Sequence, residues 1–306
     1  MIGIDVGGAN LKVVDDCGVH IHYCPLWRES NLAEILAEYR GEDAAVVMSG
    51  ELADGFFNKA EGIRYIVNAV RKTFPNAQFY GTDGAFHADA CPDLAAANWL
   101  ASVDWLRTEY PQGMMLDIGS TTADIVPFTA FAKLTGMTDT LRLQHGYLVY
   151  TGMLRTPVAT LANSAMIDGV PTPFSTEYFA CSGDAHYVLG HIGDVEYTSA
   201  TPDGKDVSRE ACLRRLARTV CADLEEIGEG GAVAVAHAFW DAQRTLVCEA
   251  VQSVADAAKA DTILVGGIGS PVFAPLVKGI DLTAAVKIPA DALPAFAVRQ
   301  LAEHRQ

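Results

Sequence analysis

The sequence predicts an α/β protein built as two related lobes with a cleft between them, and three observations predict it. Strand-like and helix-like hydrophobic patterns alternate along the chain, which implies sheets covered by helices on both faces. A strand, glycine turn and strand at residues 1–15 recur at residues 113–128, and such self-similarity marks related units. At 306 residues the chain exceeds a usual domain of ~100–150 residues, so two domains are the natural division. We place the lobes at 1–110 and 111–306, with the closing helix free to pack back onto the first lobe.

In chain order, MIGIDV, GGAN and LKVVD (Met1 to Asp15) read as strand, turn and strand. Residues 31–40 carry Leu32, Ile35 and Leu36 at helical spacing. AAVVMS (Ala44 to Ser49) is a short buried strand, and residues 61–74 are a helix with Ile63, Ile66, Val67 and Val70 as its stripe. Gln78 to Tyr80 is a further strand. Leu94 to Arg107 reads as a helix that stops before Pro111 and Gly113. GMMLDIGSTTADIVPF (Gly113 to Phe128) restarts the opening pattern. A polar loop, Thr201 to Asp206, precedes two helical stretches, Ser208 to Glu226 and Val233 to Ala258. TILVGGIGS (Thr262 to Ser270) is a strand entering a glycine turn, and Asp291 to His304 is a closing helix.

Half the residues are apolar and 20% are charged, which is globular rather than disordered composition. The net charge of −16 points away from nucleic acid, whose phosphates need clustered Lys and Arg. An acidic protein that binds an anion must supply local donors, namely main-chain amides and a divalent cation. The seven cysteines are scattered without a C-x-x-C pair, a pattern of reduced thiols in a cytoplasm rather than of disulfides or a zinc site. No apolar run is long enough for a bilayer, and Met1 leads straight into a strand. We therefore expect a soluble, cytoplasmic protein with no signal peptide and no membrane partner.

Three glycine turns carry the chemistry. In Asp5-Val6-Gly7-Gly8-Ala9-Asn10, glycines allow main-chain N–H groups to approach an anion, and a strand-end carboxylate suits Mg²⁺. Taken alone, this segment also reads as an ordinary hairpin turn. Asp117-Ile118-Gly119-Ser120-Thr121-Thr122-Ala123-Asp124 repeats the pattern and adds hydroxyl donors. Gly266-Gly267-Ile268-Gly269-Ser270 follows an apolar strand, where a nucleotide or diphosphate can lie against the backbone. The dinucleotide alternative fails, because no glycine-rich turn opens a helix in a βαβ unit near an acidic ribose reader.

Together the three turns resemble the two phosphate motifs and the adenosine motif of the ASKHA (actin/Hsp70/sugar kinase-like, ribonuclease H-like) superfamily. VVMSGELADGFFNKAEGIRYIV (Val46 to Val67), FYGTDGAF (Phe79 to Phe86) and LQHGYLVYTGMLRTPV (Leu143 to Val158) resemble the hydantoinase/oxoprolinase branch, and within it the tetrahydromethanopterin-linked C1-transfer protein family. That resemblance implies a transferase of methanofuran biosynthesis. It would condense an aminomethylfuran-methyl diphosphate with the phenol of a tyramine- or tyrosine-like acceptor, releasing pyrophosphate.

On this reading Asp5 and Asp117 are the metal-positioning and catalytic carboxylates. Gly7, Gly8, Asn10, Gly119, Ser120, Thr121, Thr122, Gly266, Gly267 and Gly269 form the phosphate cradle. Lys12 and Arg155 are candidate phosphate counter-charges, Arg155 through its rigid donor fork; Lys12 reads also as a strand-surface lysine. Lys59, Glu51 and Asp54 are candidates for reading substrate charge or accepting the phenol proton. Asp83 and Asp124 are further proton acceptors, although Asp83, in GTDG, reads also as a turn holder. Tyr150, with Phe56, Phe57 and Tyr147, is a candidate ring partner, while His145 and His186 read as cap or core histidines. The rival readings are an ATP-dependent small-molecule kinase, a hydantoinase/oxoprolinase-type hydrolase, and a non-catalytic sensor that closes on a nucleotide.

Overall fold

The structure, a computed structural model, describes residues 1–28, 31–286 and 292–305. The elements run β1 (Ile2–Val6), β2 (Asn10–Val14), β3 (Val19–Tyr23), α1 (Leu32–Leu36), β4 (Ala44–Met48), α2 (Lys59–Thr73), β5 (Gln78–Tyr80), β6 (Phe86–His87) and α3 (Asn98–Leu106). There follow β7 (Gly113–Ile118), β8 (Ala123–Pro127), α4 (Asp139–His145), β9 (Leu148–Val149), β10 (Ser164–Ile167), β11 (Val170–Pro173), α5 (Ser182–Val188), α6 (Arg209–Arg218) and α7 (Leu224–Ala258). The chain continues with β12 (Thr262–Gly266), α8 (Ser270–Val277), β13 (Ile280–Asp281), α9 (Leu282–Val286) and α10 (Leu293–His304). Among the described residues no helix is long and apolar enough to cross a membrane.

Two mixed sheets organise these elements. One is six-stranded in the order β3-β2-β1-β4-β5-β6, the other five-stranded in the order β13-β12-β7-β8-β9. In each, an antiparallel hairpin (β1–β2 or β7–β8) lies beside a parallel neighbour, β4 or β12. Successive strand residues face opposite sides, and registered neighbours share a side. In the first sheet, Ile2, Ile4, Val6, Leu11, Val13, Val46 and Met48 therefore face outward. There they meet Leu32 and Leu36 of α1 and Ile66 and Val70 of α2 in one core. In the second sheet Met114, Leu116, Ile118, Ile125 and Val265 pack in another core with residues of α5, α6 and α7.

The opposite faces of both sheets contribute to a third, shared core. Ala45 and Val47 of the first sheet join Met115, Val126 and Leu264 of the second. Between them lie Trp99, Leu100 and Val103 of α3 and Val298 and Leu301 of α10. α10 sits so close to β1 that a Cβ at Gly3 would fall 1.9 Å from the Ala295 carbonyl oxygen. The expected first residue of this helix, Asp291, lies outside the described residues.

Several boundaries differ from the sequence expectations. The helix expected from Leu94 begins at Asn98, because Pro92–Leu94 form a short 3₁₀ turn and Ala96 takes φ 48°. The stretch expected to be helical from Ser208 to Glu226 ends at Arg218, where Cys221 turns the chain at φ 59°. α7 starts at Leu224 on an Asp223 cap whose side chain accepts from the Glu226 N–H, and it breaks at Gly228 (φ 63°, ψ 176°). α4 and the β10–β11 hairpin are elements that the sequence reading leaves unassigned.

Candidate active site

The first two glycine turns have the same internal closure. Gly7 N–H donates to Asn10 O at 3.0 Å, and Gly119 N–H donates to Thr122 O at 3.0 Å. Each turn follows a strand whose penultimate residue is an aspartate, Asp5 in β1 and Asp117 in β7. Register decides where these carboxylates face. Asp5 pairs with Val47, and Asp117 lies two residues beyond Met115 and opposite Gly266. Val47 and Met115 both belong to the shared core. The two aspartates therefore lie on the inner faces of the two sheets, at the carboxyl ends of their first strands.

The third turn packs directly on the second. Gly269 N–H donates to Ile118 O at 3.0 Å. Gly267 has φ 78°, and a Cβ there would fall 2.5 Å from Asp117 Oδ1 and 2.4 Å from Ile118 O. Only glycine keeps the space beside Asp117 open. The other flank is the segment after β9: Met153 N–H donates to Gly119 O at 2.9 Å, and Leu154 and Arg155 N–H both donate to Ser120 O at 3.0 Å. A Cβ at Gly152 would approach Thr121 N to 2.5 Å. A cavity of about 220 Å³ opens beside this turn, lined by Thr121, Tyr150, Arg155, Thr156, Pro157 and Thr160. Arg155 also reaches the first lobe's loop, its Cζ lying 5.3 Å from the Trp27 ring centroid.

Around the first turn, Cys24 N–H donates to Ala9 O and Leu26 N–H to Gly8 O, both at 2.9 Å. Lys12 stands opposite Asp5 in register, its Nζ 3.8 Å from Asp5 Oδ2. Two strand-end carboxylates are hard oxygen donors, and the glycines beside them leave space that a Cβ would fill. That donor set fits Mg²⁺ and not a softer ion.

Glu51, in the β4–α2 loop, is 1% exposed. Its Oε1 lies 3.9 Å from Lys59 Nζ, and Oε2 has no hydrogen-bond partner among the described residues. Burial raises its pKa above the ordinary 4.5; Lys59 opposes this and the Asp139 charge of the second lobe adds to it. Asp139 and Asp124 are both held by the Arg142 guanidinium, whose Cζ lies 4.5 Å from the Trp99 ring centroid. Burial raises Asp124 too, against the pull of Arg142. As the Arg142 counter-ion, Asp124 is tied into an ion pair rather than poised as an isolated base.

The remaining expected residues are dispersed. Asp83 closes its own turn, accepting from Ala85 N–H at 3.0 Å, and pairs with His87 at 3.1 Å. Asp54 is exposed, as are Phe57 (92%) and Tyr150 (68%). His186 is a fully buried core histidine bonded to Gln243 at 2.8 Å, with its pKa lowered to about 3, by burial first. Sequence reasoning missed Asp139, Arg142, Trp99 and Trp27. Asp139 and Arg142 had a signal, three residues apart behind a Thr138 cap; the two tryptophans had none.

The Glu51 displacement has a testable sign. The folded carboxyl binds its proton more tightly than the unfolded one, so stability falls as pH rises from about 4.5 through the folded pKa. Glu51→Gln remains neutral throughout. We expect it to gain stability relative to wild type as pH rises from acid to neutral. Urea midpoints across that range provide the check, and a pH-independent difference would contradict the assignment.

Two inward-facing turns, each with an aspartate and a glycine, a third glycine turn against the second, and helices between two mixed sheets define an α/β fold with its candidate site at the strand ends. The chain belongs to the hydantoinase/oxoprolinase family, whose model matches residues 42–305. It is 34% identical over 288 residues to a (4-{4-[2-(gamma-L-glutamylamino)ethyl]phenoxymethyl}furan-2-yl)methanamine synthase of Methanocaldococcus jannaschii, covering 89% of this chain and 87% of that protein. A synthase of the same name from Methanococcus vannielii is 33% identical over 160 residues, covering 52% of this chain and 72% of that protein. A nucleotide-free acetone carboxylase structure matches at TM-score 0.51 and 11% identity, over 97% of this chain and 69% of that one. At that identity the likeness is one of fold.

Proposed function

We propose that this chain is a synthase of methanofuran biosynthesis that joins an aminomethylfuran-methyl diphosphate to the phenol of a tyramine-like acceptor. The observation that carries the reading is the 34% identity, over 89% of the chain, to a synthase whose name describes an aryl furfuryl ether. The glycine turns support it, because a diphosphate leaving group needs amides and counter-charge. In the reaction the furfuryl carbon–oxygen bond to diphosphate breaks, and pyrophosphate leaves with the bonding electrons. The phenol oxygen then forms the new bond to the methylene and loses its proton.

Amides and hydroxyls of Gly7, Gly8, Asn10, Gly119, Ser120, Thr121 and Thr122 would grip the diphosphate, with Gly266, Gly267 and Gly269 closing the cradle. Asp5 and Asp117 would hold Mg²⁺, which when bound neutralises charge building on the leaving group. Lys12 and Arg155 add positive charge at the two turns. Glu51 would take the phenol proton, since a carboxyl whose pKa burial raises is a better base than an exposed one. Lys59 orients it from 3.9 Å. The aromatic face of Tyr150, at the 220 Å³ cavity, would pack on a substrate ring.

Mass spectrometry of products from protein, Mg²⁺, the furan diphosphate and tyramine, tyrosine or γ-glutamyltyramine tests the reading. Formation of the ether with equimolar pyrophosphate is expected. No ether with any phenol, together with ADP release from Mg-ATP, would replace it with the kinase or hydrolase reading.

A further inference from the structure

We propose that His87, Cys91 and Asp93 form a divalent-metal site of zinc type that ties the edge of the first sheet to the segment entering α3. One ligand atom from each of the three lies within 4.8 Å of the others. Zinc bonds of about 2.0–2.3 Å put tetrahedral ligands roughly 3.3–3.8 Å apart, so a small rotation of the half-buried Asp93 side chain closes the set. The spacing H-x₃-C-x-D contains no cysteine pair, which is why the sequence alone points away from zinc.

The surroundings are those of a ligating histidine and thiolate. His87 Nε2 lies 3.1 Å from both Asp83 oxygens, and an N–H held by a carboxylate leaves the lone pair on the other ring nitrogen. Gly81 makes room for this pair: a Cβ there would fall 2.7 Å from Asp83 Oδ1 and 3.0 Å from His87 Nε2. Cys91 heads the 3₁₀ turn Pro92–Leu94. A bound cation displaces the thiol proton to solvent. Thiolate and imidazole exclude Mg²⁺ and favour Zn²⁺.

The backbone around the set is already fixed. Thr82 N–H and Oγ1 donate to Asp93 O at 2.6 and 3.1 Å. Four residues on, Ala97 N–H donates to Met48 O at 3.2 Å. A metal here would lock the β5–β6 hairpin to the strand that leads to Glu51. Three protein ligands leave a fourth position for water.

Titration of the untagged, reduced protein with Co²⁺ tests the proposal. We expect a near-ultraviolet thiolate-to-cobalt band that saturates at one ion per chain and disappears when Zn²⁺ is added. Cys91→Ser should abolish the band, and Cys248→Ser should retain it. Asp83→Asn should weaken binding about 10–100-fold at unchanged band position. Should Cys91→Ser not fold, the near-isosteric Asp93→Asn is expected to weaken binding and shift the visible cobalt bands. Absence of the band in the wild type, its survival in Cys91→Ser, or an Asp93→Asn titration identical to wild type would overturn the site.

Discussion

Asp117→Asn is expected to lower kcat/KM by about 10²–10³-fold while leaving the protein folded. The amide keeps the shape of the carboxylate at the end of β7 but removes its charge, beside a turn where a Cβ at Gly267 would fall 2.5 Å from Asp117 Oδ1. Asp5→Asn is expected to act in the same direction, because Asp5 holds the equivalent place in β1. It also removes the counter-ion of Lys12, 3.8 Å away, so some stability is lost as well. Pyrophosphate release at saturating Mg²⁺ provides the assay, and circular dichroism separates lost chemistry from lost structure. Turnover at the wild-type rate in both variants would remove the aspartates from the mechanism.

The second large effect concerns stability far from the turns. Asp184 and Arg215 both have fully buried side chains, with Arg215 Nη2 2.7 Å and Nε 2.8 Å from Asp184 Oδ1. Tyr197 Oη donates to the same oxygen at 2.9 Å, and Cys181 N–H donates to Oδ2 at 3.1 Å. Asp203 supplies a further contact to Arg215 at 3.1 Å. Asp184→Asn would leave the guanidinium without its main counter-charge in an apolar setting. Such a break costs about 3–5 kcal/mol. Urea unfolding of the variant checks this, with Arg215→Met and the double variant completing a cycle. A loss below about 1 kcal/mol would mean that water or Asp203 compensates.

Much of the sheet architecture was legible because buried strands carry their own pattern. In both MIGIDV and MMLDI, large apolar residues alternate with the row that turns inward, and an aspartate closes that row. The glycine turns were legible for the same local reason. Helix ends were less so. Nothing in LAAANWLAS marks Ala96 as the break, since an alanine at positive φ is imposed by contacts from Met48 and Thr82. Nor does Cys221 advertise the end of α6. The β10–β11 hairpin did have a local signal, Asp168-Gly169, whose φ values of 49° and 79° are those of a type I′ turn. Asp139 and Arg142 carried the local signal of an i,i+3 pair, but nothing local brings Glu51 of the first lobe near them, because approach between lobes leaves no periodicity in one chain. His87 and Cys91 read in the sequence as a histidine and a thiol and nothing more, because no cysteine pair stands beside them.

The seat of α10 against Gly3 bears on how the polypeptide leaves the ribosome. Strand β1 precedes every other described element, yet the helix that shields its inner face is translated after both sheets are complete. At roughly 5–20 residues per second, the stretch from Gly3 to Ala295 takes on the order of 15–60 s to make, and the inner face of β1 waits uncovered for that time. Nascent chains of this protein should therefore engage holding chaperones until α10 has been made.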